Sequence, residues 1–430
     1  MDFGGAQGTF PCRYLGLPLS TRKPRRVEIQ PVLDKARSRI KPWKGKMLNR
    51  PGRLALVNSV LTALATYYLT CFAADKWASK NLDKLRRSFL WAGEEKANGG
   101  KCMVNWKQCC TPKKFGGLGI KSIEAFGRSL RLRWLWYEWD DVERPWKGTP
   151  TPCDSTDKNL FAAATAISVG NGQITSFWHN RWLDVESPKE IAPDVFPLAW
   201  RKNLTVCEAL TEGRWMRGIQ RMVTETQILQ FIRLWEKVQA IHLTTERDKI
   251  SWKLSSNGCY SAKSAYDAQF IGRIEQPHLG MVWRTKAEQK VNFYTWLLLQ
   301  DRNWTAGRLG RRGWPHSPVC PLCDQAPETA VHLLLHCPFA KELWVAVRST
   351  QQRIANIALG ATSIRSWWRK INTGTANETR HEQVTFAVYV TWNIWKERNR
   401  RVFQATTAQV PALLQLPIDD VSLLKEAFCE

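Results

Sequence analysis

One short run of the sequence has the residue types and spacing of a zinc site. Cys320 and Cys323 enclose two residues, and His332 and Cys337 follow at intervals that a turn and a short helix can span. Zn²⁺ binds thiolate and imidazole ligands in a tetrahedron, and a C-x2-C pair can direct both sulfur atoms at one ion. Four protein ligands leave no open position for a catalytic water, so the sequence predicts a structural zinc ion.

The ligand set is open when only residue types are considered. His336 lies four residues after His332, on the same helical face, so it is the alternative to Cys337. His316 is a weaker candidate because it precedes the turn. Pro338 cannot continue a helix, which places Cys337 at the end of one, free to bend towards the metal. The alternative to a metal site is a chance grouping of Cys and His in a cysteine-containing core.

The charge of the chain indicates a polyanionic partner. The 430 residues carry a formal net charge of +25, while the apolar fraction of 44% is ordinary for a globular protein. Such a field attracts nucleic acid above other partners. The positive charge is concentrated at one end, since residues 1–60 hold thirteen Lys and Arg against three Asp and Glu. The residues predicted to contact phosphates are Arg22, Lys23, Arg25, Arg26, Lys35, Arg37, Arg39, Lys41, Lys44 and Lys46.

The chain also has 23 Trp and 12 Cys. We expect most tryptophans in the core and a few in basic loops, where they could stack on bases. Outside the zinc candidates the cysteines are scattered, which does not indicate disulfides. The first residues lack the features of a signal peptide, and the apolar run at 54–74 is interrupted by polar residues. These features predict an intracellular protein, nuclear or cytoplasmic, without a membrane span.

Apolar periodicity predicts a mainly α fold with short β hairpins, of the α+β class. Helices are predicted at 27–41, 53–71, 76–91, 123–138 and 384–403, with two more between 281 and 312. Short β units are predicted at 167–174, around Gly-Asn-Gly, and at 248–260. The Gly-rich loop at 115–119 lacks the lysine of a phosphate-binding loop, so we interpret it as a tight backbone crossing.

Several short motifs follow one another in an order typical of one family. In chain order they are Tyr-Leu-Gly-Leu-Pro-Leu at 14–19, Lys-Pro-Trp-Lys at 41–44, Arg-Pro-Gly-Arg-Leu at 50–54, Phe-Leu-Trp-Ala-Gly at 89–93, Gly-Gly-Leu-Gly-Ile at 116–120, Tyr-Ser-Ala-Lys-Ser-Ala-Tyr at 260–266, Trp-Arg at 283–284, the cysteine run with His332-Leu333, Cys337-Pro338-Phe339-Ala340 and Trp344, and Trp-Lys-Glu-Arg-Asn-Arg-Arg-Val-Phe at 395–403. This order resembles the C-terminal part of a plant LINE-type (non-LTR) retrotransposon reverse transcriptase, including its zinc-binding domain. The resemblance favours Cys337 over His336 as the fourth ligand.

The resemblance implies a thumb-like helical domain followed by a small zinc-binding helical domain. The predicted division is a remnant of the palm-to-thumb connection at 1–20, a basic thumb-like domain at 21–145, a mixed α/β region at 158–250, the zinc-binding domain at 251–345, C-terminal helices at 346–404 and a weakly structured tail at 405–430. The resemblance implies RNA or an RNA/DNA duplex as the partner. It also implies a second partner, a full-length reverse transcriptase.

One departure from the family bears on catalysis. Reverse transcriptases hold two Mg²⁺ ions with carboxylates, among them a Tyr-x-Asp-Asp hairpin upstream of the Tyr14 motif, and this sequence begins after it. Asp140-Asp141 and Asp419-Asp420 are expected to be surface carboxylates. We therefore expect a non-catalytic nucleic-acid-binding fragment of a truncated element or of a derived host gene. The alternatives are part of an active RNA-directed DNA polymerase whose palm is supplied upstream or in trans, and a protein-interaction module or a relic.

Overall fold

A computed structural model describes residues 12–14, 17–19, 24–40, 42–73, 75–97, 99–140, 146, 149–374 and 377–428. The described chain is mainly α-helical. Its strands form two antiparallel pairs, β1 with β2 and β3 with β4. The predicted mainly α fold with short β hairpins is therefore confirmed. Arg22, Lys23, Lys41 and Asp141, which the sequence singled out, lie outside the described residues, as does the side chain of Lys44.

The elements follow in chain order. Up to residue 140 they are β1 Cys12–Tyr14, β2 Leu17–Leu19, α1 Arg26–Arg39, α2 Pro42–Met47, α3 Arg50–Leu56, a π-turn at Val57–Leu61, α4 Ala63–Cys71, α5 Lys76–Ala92, α6 Trp106–Cys109 and α7 Ile123–Asp140. From there to residue 268 they are α8 Ser155–Ala164, β3 Thr165–Ser168, α9 Pro188–Ile191, α10 Val206–Leu210, α11 Arg214–Arg217, α12 Glu225–Gln239, β4 Lys249–Trp252 and α13 Ala262–Ala268. The remainder comprises α14 Pro277–Gly280, α15 Gln289–Leu299, α16 Ala306–Gly310, a π-turn at His332–His336, α17 Pro338–Leu359, α18 Ile364–Ile371, α19 Asn377–Gln404 and α20 Val410–Phe428.

The chain divides into two compact units built from separated segments. One contains the described residues up to Ala65, Lys76–Ser122 and the chain from Arg273 onward; the other contains Thr66–Asp75 and Ile123–Gly272. This division differs from the linear domain order predicted from the sequence. In particular, residues 251–272 of the predicted zinc-binding domain belong to the second unit.

Two motifs of the first unit, at 50–54 and 89–93, meet the residue that follows the 41–44 motif at one close backbone contact. A Cβ at Gly45 would lie 1.7 Å from the carbonyl oxygen of Gly93, so any larger residue is excluded there. Arg53 donates through Nη2 to the Gly45 carbonyl (2.7 Å) and through Nε to the Leu48 carbonyl (3.0 Å). Gly93 itself has a φ of +75°, a conformation that glycine adopts without strain. Arg53 is therefore a structural residue of this packing.

The Gly-rich loop is the tight crossing that the sequence predicted. A Cβ at Gly117 would lie 2.1 Å from the carbonyl oxygen of Thr111, and Gly116 and Gly119 have φ of +80° and +71°. The indole Nε1 of Trp296 donates to the Gly116 carbonyl at 2.9 Å. The loop therefore supports the core of the first unit.

The helical stretch Arg50–Cys71 is long and apolar enough to cross a bilayer, judged by length and composition alone. The structure interrupts it with the π-turn at Val57–Leu61. Leu54, Val57 and Leu61 are buried, and the segments that carry them pack against α5. These contacts are those of a core helix.

The structure differs from the predicted hairpin at 167–174. Strand β3 pairs instead with β4, in the register Thr165↔Trp252 to Ser168↔Lys249. The Gly-Asn-Gly segment wraps around the carboxylate of Asp248, which is only 5% exposed. Asp248 accepts hydrogen bonds from the amides of Gly170 (2.7 Å) and Gly172 (2.8 Å), and from the amide (2.9 Å) and hydroxyl (2.7 Å) of Thr175. A distant carboxylate, rather than a local turn, therefore shapes the loop.

The C-terminal segment also differs from its prediction as a weakly structured tail. Residues 410–428 form helix α20, which packs against α17 and α19 and buries Val410 and Leu413. Its order comes from these tertiary contacts, because Pro417 lies inside the helix and weakens its local propensity.

Replacing Asp248 tests the hydrogen-bonded loop. Asp248→Asn removes the charge and leaves backbone donors unpaired, so we expect a loss of about 2–4 kcal/mol in the free energy of unfolding of this region. Burial by itself would raise the pKa of Asp248, but the hydrogen bonds from Thr175, Gly170 and Gly172 outweigh it and hold that pKa below its ordinary value. The stabilisation is complete above the unfolded-state pKa of about 3.9. It is lost as the pH falls through the folded-state pKa.

Thermal unfolding followed by circular dichroism at several pH values measures both effects. Asp267→Asn, at an exposed aspartate of the same unit, is the matched control and should leave the unfolding temperature unchanged. An Asp248→Asn protein as stable as this control at neutral pH would contradict the role given to the carboxylate.

Candidate metal centre

Cys320 and Cys323 lie in one tight turn. The amides of Cys323 and Asp324 donate to the Cys320 carbonyl at 3.4 and 2.9 Å. The Cys320 amide donates to the carbonyl of Ala326 at 2.8 Å, which closes the loop behind the pair. Asp324 has a φ of +51°, which reverses the chain directly after Cys323. The turn places both thiol groups in the same cluster, as the C-x2-C spacing predicted.

His332 and Cys337 are brought together by a π-turn. Residues His332–His336 form this wider helical turn, and the Cys337 amide donates to the His332 carbonyl, five residues back, at 2.6 Å. Cys337 then stands immediately before Pro338, the first residue of α17. Insertions of this kind are frequent at functional sites because they re-aim side chains. The predicted helix end at Cys337 is observed, whereas the π-turn was not anticipated.

The ligand atoms of Cys320, Cys323, His332 and Cys337 all lie within 4.8 Å of one another. The sulfur atoms of Cys320 and Cys337 are 3.9 Å apart, and Sγ of Cys323 is 3.3 Å from Nε2 of His332. In a tetrahedral site, Zn–S bonds of about 2.3 Å and Zn–N bonds of about 2.0–2.1 Å give separations of about 3.8 Å and 3.6 Å. The donor set and its dimensions therefore fit a structural Zn²⁺.

The surroundings favour the metal-binding protonation state at Cys337 and His332 but not at Cys320. The hydrogen bond from Cys320 and the backbone amides of Ala340 and Phe339, at the start of α17, lower the pKa of the Cys337 thiol. The same hydrogen bond, and burial after it, raise the pKa of the Cys320 thiol. Burial lowers the pKa of His332, which favours the neutral imidazole. Metal binding requires thiolate and neutral imidazole, so binding of Zn²⁺ would release the proton of the Cys320 thiol.

The other two histidines near the cluster have different partners. Nε2 of His336 lies 2.9 Å from the carbonyl oxygen of Ala361. Nδ1 of His316 lies 2.8 Å from the carbonyl oxygen of Trp314, in an exposed segment. Within the described ranges, the group of His, Cys and carboxylate residues whose ligand atoms converge contains Cys337 and neither His336 nor His316.

Helix α19 braces the metal centre through two arginines. Nη1 of Arg401 donates to the carbonyls of Pro321 (3.3 Å) and Leu322 (3.0 Å), the two residues between the first ligands. Arg398 forms a two-point ion pair with Glu328, at 2.8 and 3.0 Å, and both side chains are buried. The Glu328 amide donates to the Pro318 carbonyl at 2.9 Å, at the base of the cysteine turn.

A second buried carboxylate orients the end of this helix. Glu397 is fully buried and accepts hydrogen bonds from Arg400 (2.6 Å), from Arg401 (2.9 Å) and from the Ala408 amide (3.0 Å). The sequence predicted a helix at 384–403 but not this bracing role. This role could have been inferred from the sequence, because charged residues there follow apolar turns of the same helix, where burial is expected.

Three members of the two acidic pairs, Asp140, Asp419 and Asp420, lie in the described part of the chain. Asp140 is exposed at the end of α7. Asp419 accepts a hydrogen bond from Gln415 at 2.8 Å, and Asp420 accepts one from Asn393 at 3.1 Å. Neither belongs to a converging ligand group in the described part of the chain.

Among the described residues, the predicted phosphate contacts fall into two groups, and the second group is held in ion pairs. Arg26, Lys35, Arg39 and Lys46 are exposed on α1 and α2. The guanidinium of Arg26 also lies over the ring of Trp77, 5.5 Å from its centroid. A separate group is engaged in ion pairs, in which Arg25 contacts Glu28 at 3.7 Å, and Arg37 contacts Asp34 at 2.9 Å and Glu95 at 3.1 Å.

Comparison with known proteins agrees with this geometry. Residues 260–344 match the family described as zinc-binding in reverse transcriptase, a span that contains all four predicted ligands. The chain is also similar to a protein of Arabidopsis thaliana named "Putative ribonuclease H protein", with 24% identity over 410 residues. The similarity covers 87% of this chain and 64% of that relative, so the chain spans less than two thirds of the relative's length. Both findings are consistent with a retrotransposon-derived protein.

Separate substitution of the competing fourth ligands tests the site. Cys337→Ser should abolish tight zinc binding, because it removes a thiolate from a four-ligand set, whereas His336→Gln should retain about one zinc per chain. Metal content of the purified proteins, measured by plasma emission spectrometry, distinguishes the two. The opposite pattern would assign the ligand to His336, and absence of zinc from the unsubstituted protein would reject the site.

Proposed function

We propose that this chain, in which residues 260–344 form a reverse-transcriptase zinc-binding domain, binds nucleic acid, with RNA as its preferred partner, and does not itself catalyse polymerisation. The observation that carries the proposal is the combination of this domain with a formal net charge of +25. Reverse transcriptases act on nucleic acid, and an excess of positive charge of this size attracts it at long range.

The exposed cations of α1 and α2 support a phosphate-binding surface. Lys35, Arg39 and Lys46 are exposed, and Lys35 and Arg39 follow one another by four residues on α1. Residues four apart lie on the same helical face, so both can reach one phosphate backbone. Each contact would release condensed counterions, which makes the affinity dependent on salt.

The zinc ion has an organising role in this proposal. The four protein ligands complete a tetrahedron, so no position remains at which a water or a substrate could be activated. Its binding energy would instead fix the cysteine turn against α17 and α19. The metal therefore has a structural role and takes no part in catalysis.

Binding of a labelled single-stranded RNA and of a duplex, measured by fluorescence anisotropy at several salt concentrations, tests the proposal. Replacement of Lys35, Arg39 and Lys46 by Gln should weaken binding and reduce the slope of log affinity against log salt by about 2, since each phosphate contact on a single strand contributes about 0.7. A primer-extension assay with Mg²⁺ on the same preparation should show no incorporation.

The matched control replaces three exposed lysines of the other unit, Lys158, Lys253 and Lys263, by Gln. It changes the net charge by the same amount and should leave the slope close to that of the unsubstituted chain. If neither nucleic acid binds at low salt, the proposal fails. Equal losses in both variants would show that net charge, and not this surface, determines the binding.

A further inference from the structure

Arg308 is a largely buried arginine with one donor, its Nε, that is unpaired within the described chain. It lies on the short helix α16 and is 9% exposed. Its Nε finds no hydrogen-bond acceptor among the described residues. Leaving a buried charged donor unpaired is costly, so such a group indicates a missing anionic partner.

The charges around Arg308 add to its positive field. Burial first, and then the neighbouring charge of Arg302, lower the pKa of Arg308, with smaller contributions from Arg311 and Arg312. The carboxylate of Asp301 acts to raise the pKa of Arg308, but it is paired with Arg311 at 3.3 Å. Its charge is therefore already shared with another arginine.

Arg312 has a structural role, because its guanidinium is already bound within the fold. It donates through Nη1 to the carbonyl of Gly100 and through Nη2 to the carbonyl of Cys102, the latter at 3.1 Å. Its guanidinium carbon also lies 5.0 Å from the ring centroid of Trp304 and 5.9 Å from that of Trp314. Arg302 and Arg308 thus remain as the cations available to an incoming anion.

Two tryptophans belong to the same segment. The ring centroids of Trp304 and Trp314 are 5.0 Å apart, and Trp314 is 36% exposed. Trp314 precedes the cysteine turn by six residues, so the segment leads directly into the metal centre. The Trp314 amide donates to the carbonyl of Leu309, the residue after Arg308, at 3.1 Å. An exposed ring close to arginines is the combination that single-stranded nucleic acid uses, because its phosphates pair with the cations and its unpaired bases stack on the ring.

We infer that Arg302 and Arg308 bind a backbone phosphate of single-stranded nucleic acid and that an adjacent base stacks on Trp314. The inference rests on the proposed function and places the nucleic-acid contact in the segment that precedes the cysteine turn. A duplex does not satisfy the arrangement equally well, because its bases are already stacked and paired. An acidic peptide would satisfy the arginines without requiring the ring, so the contribution of Trp314 separates the two partners.

The test uses the full zinc-loaded chain and short labelled single strands of RNA and DNA. Arg302→Gln with Arg308→Gln should lower the slope of log affinity against log salt by about 0.7, the value for one phosphate contact on a single strand. Trp314→Ala should weaken single-strand binding about tenfold, as expected for the loss of one stacked base, and leave duplex binding unchanged. Comparison of RNA with DNA shows which single strand the site prefers.

Matched controls are Arg217→Gln with Arg221→Gln, an exposed arginine pair, and Trp200→Ala, a tryptophan that is 75% exposed. These variants should bind as the unsubstituted chain does. The zinc content of each variant reports whether it has folded. If the variant with Arg308→Gln loses its zinc, the inference is tested with Arg302→Gln and Trp314→Ala, whose side chains are partly exposed. Substituted and control proteins with equal affinity and slope would overturn the inference while nucleic-acid binding stands. Failure of the unsubstituted chain to bind would overturn the proposed function itself.

Discussion

Convergence of three thiols and one imidazole is the constraint that governs the C-terminal part of this chain. Cys320 and Cys323 come from a turn and His332 and Cys337 from the ends of a π-turn, so neither segment can shift without opening the site. A zinc ion would make this convergence energetically favourable, since thiolates held this close repel one another without a cation. Helix α19 then holds the turn from outside through Arg401, which donates to two of its carbonyls.

The bracing contacts explain why charged residues occur in a buried part of α19. The pair of Arg398 with Glu328 carries no net charge, and its two hydrogen bonds satisfy both groups away from water. Removing one member would leave the other charged and buried. The resulting loss of stability would exceed the net stabilisation that the intact pair contributes. Basic residues in this chain thus have two roles: arginines paired with acceptors inside the protein, such as Arg398, hold the fold, whereas unpaired cations are proposed to bind a partner.

Local patterns predicted what local forces determine. The C-x2-C turn, the end of a helix at Cys337 and the helical segments followed from spacing, periodicity and proline chemistry. Features set by distant residues were not predictable in this way: the loop shaped by Asp248, the ordering of α20 and the pairing of Glu328 with Arg398 each join segments far apart in sequence. Gly45 and Gly93 illustrate the difference, since Gly93 ends one motif and Gly45 directly follows another, but their contact is visible only in the fold.

X-ray absorption at the zinc edge of the purified full-length chain tests the central claim most directly. The account predicts one zinc per chain with three sulfur ligands at about 2.3 Å and one nitrogen ligand at about 2.0–2.1 Å. The spectrum should not change when His336 is replaced by Gln. A first shell of two sulfur and two nitrogen ligands, or a shell containing water oxygen, would contradict the closed structural site formed by Cys320, Cys323, His332 and Cys337.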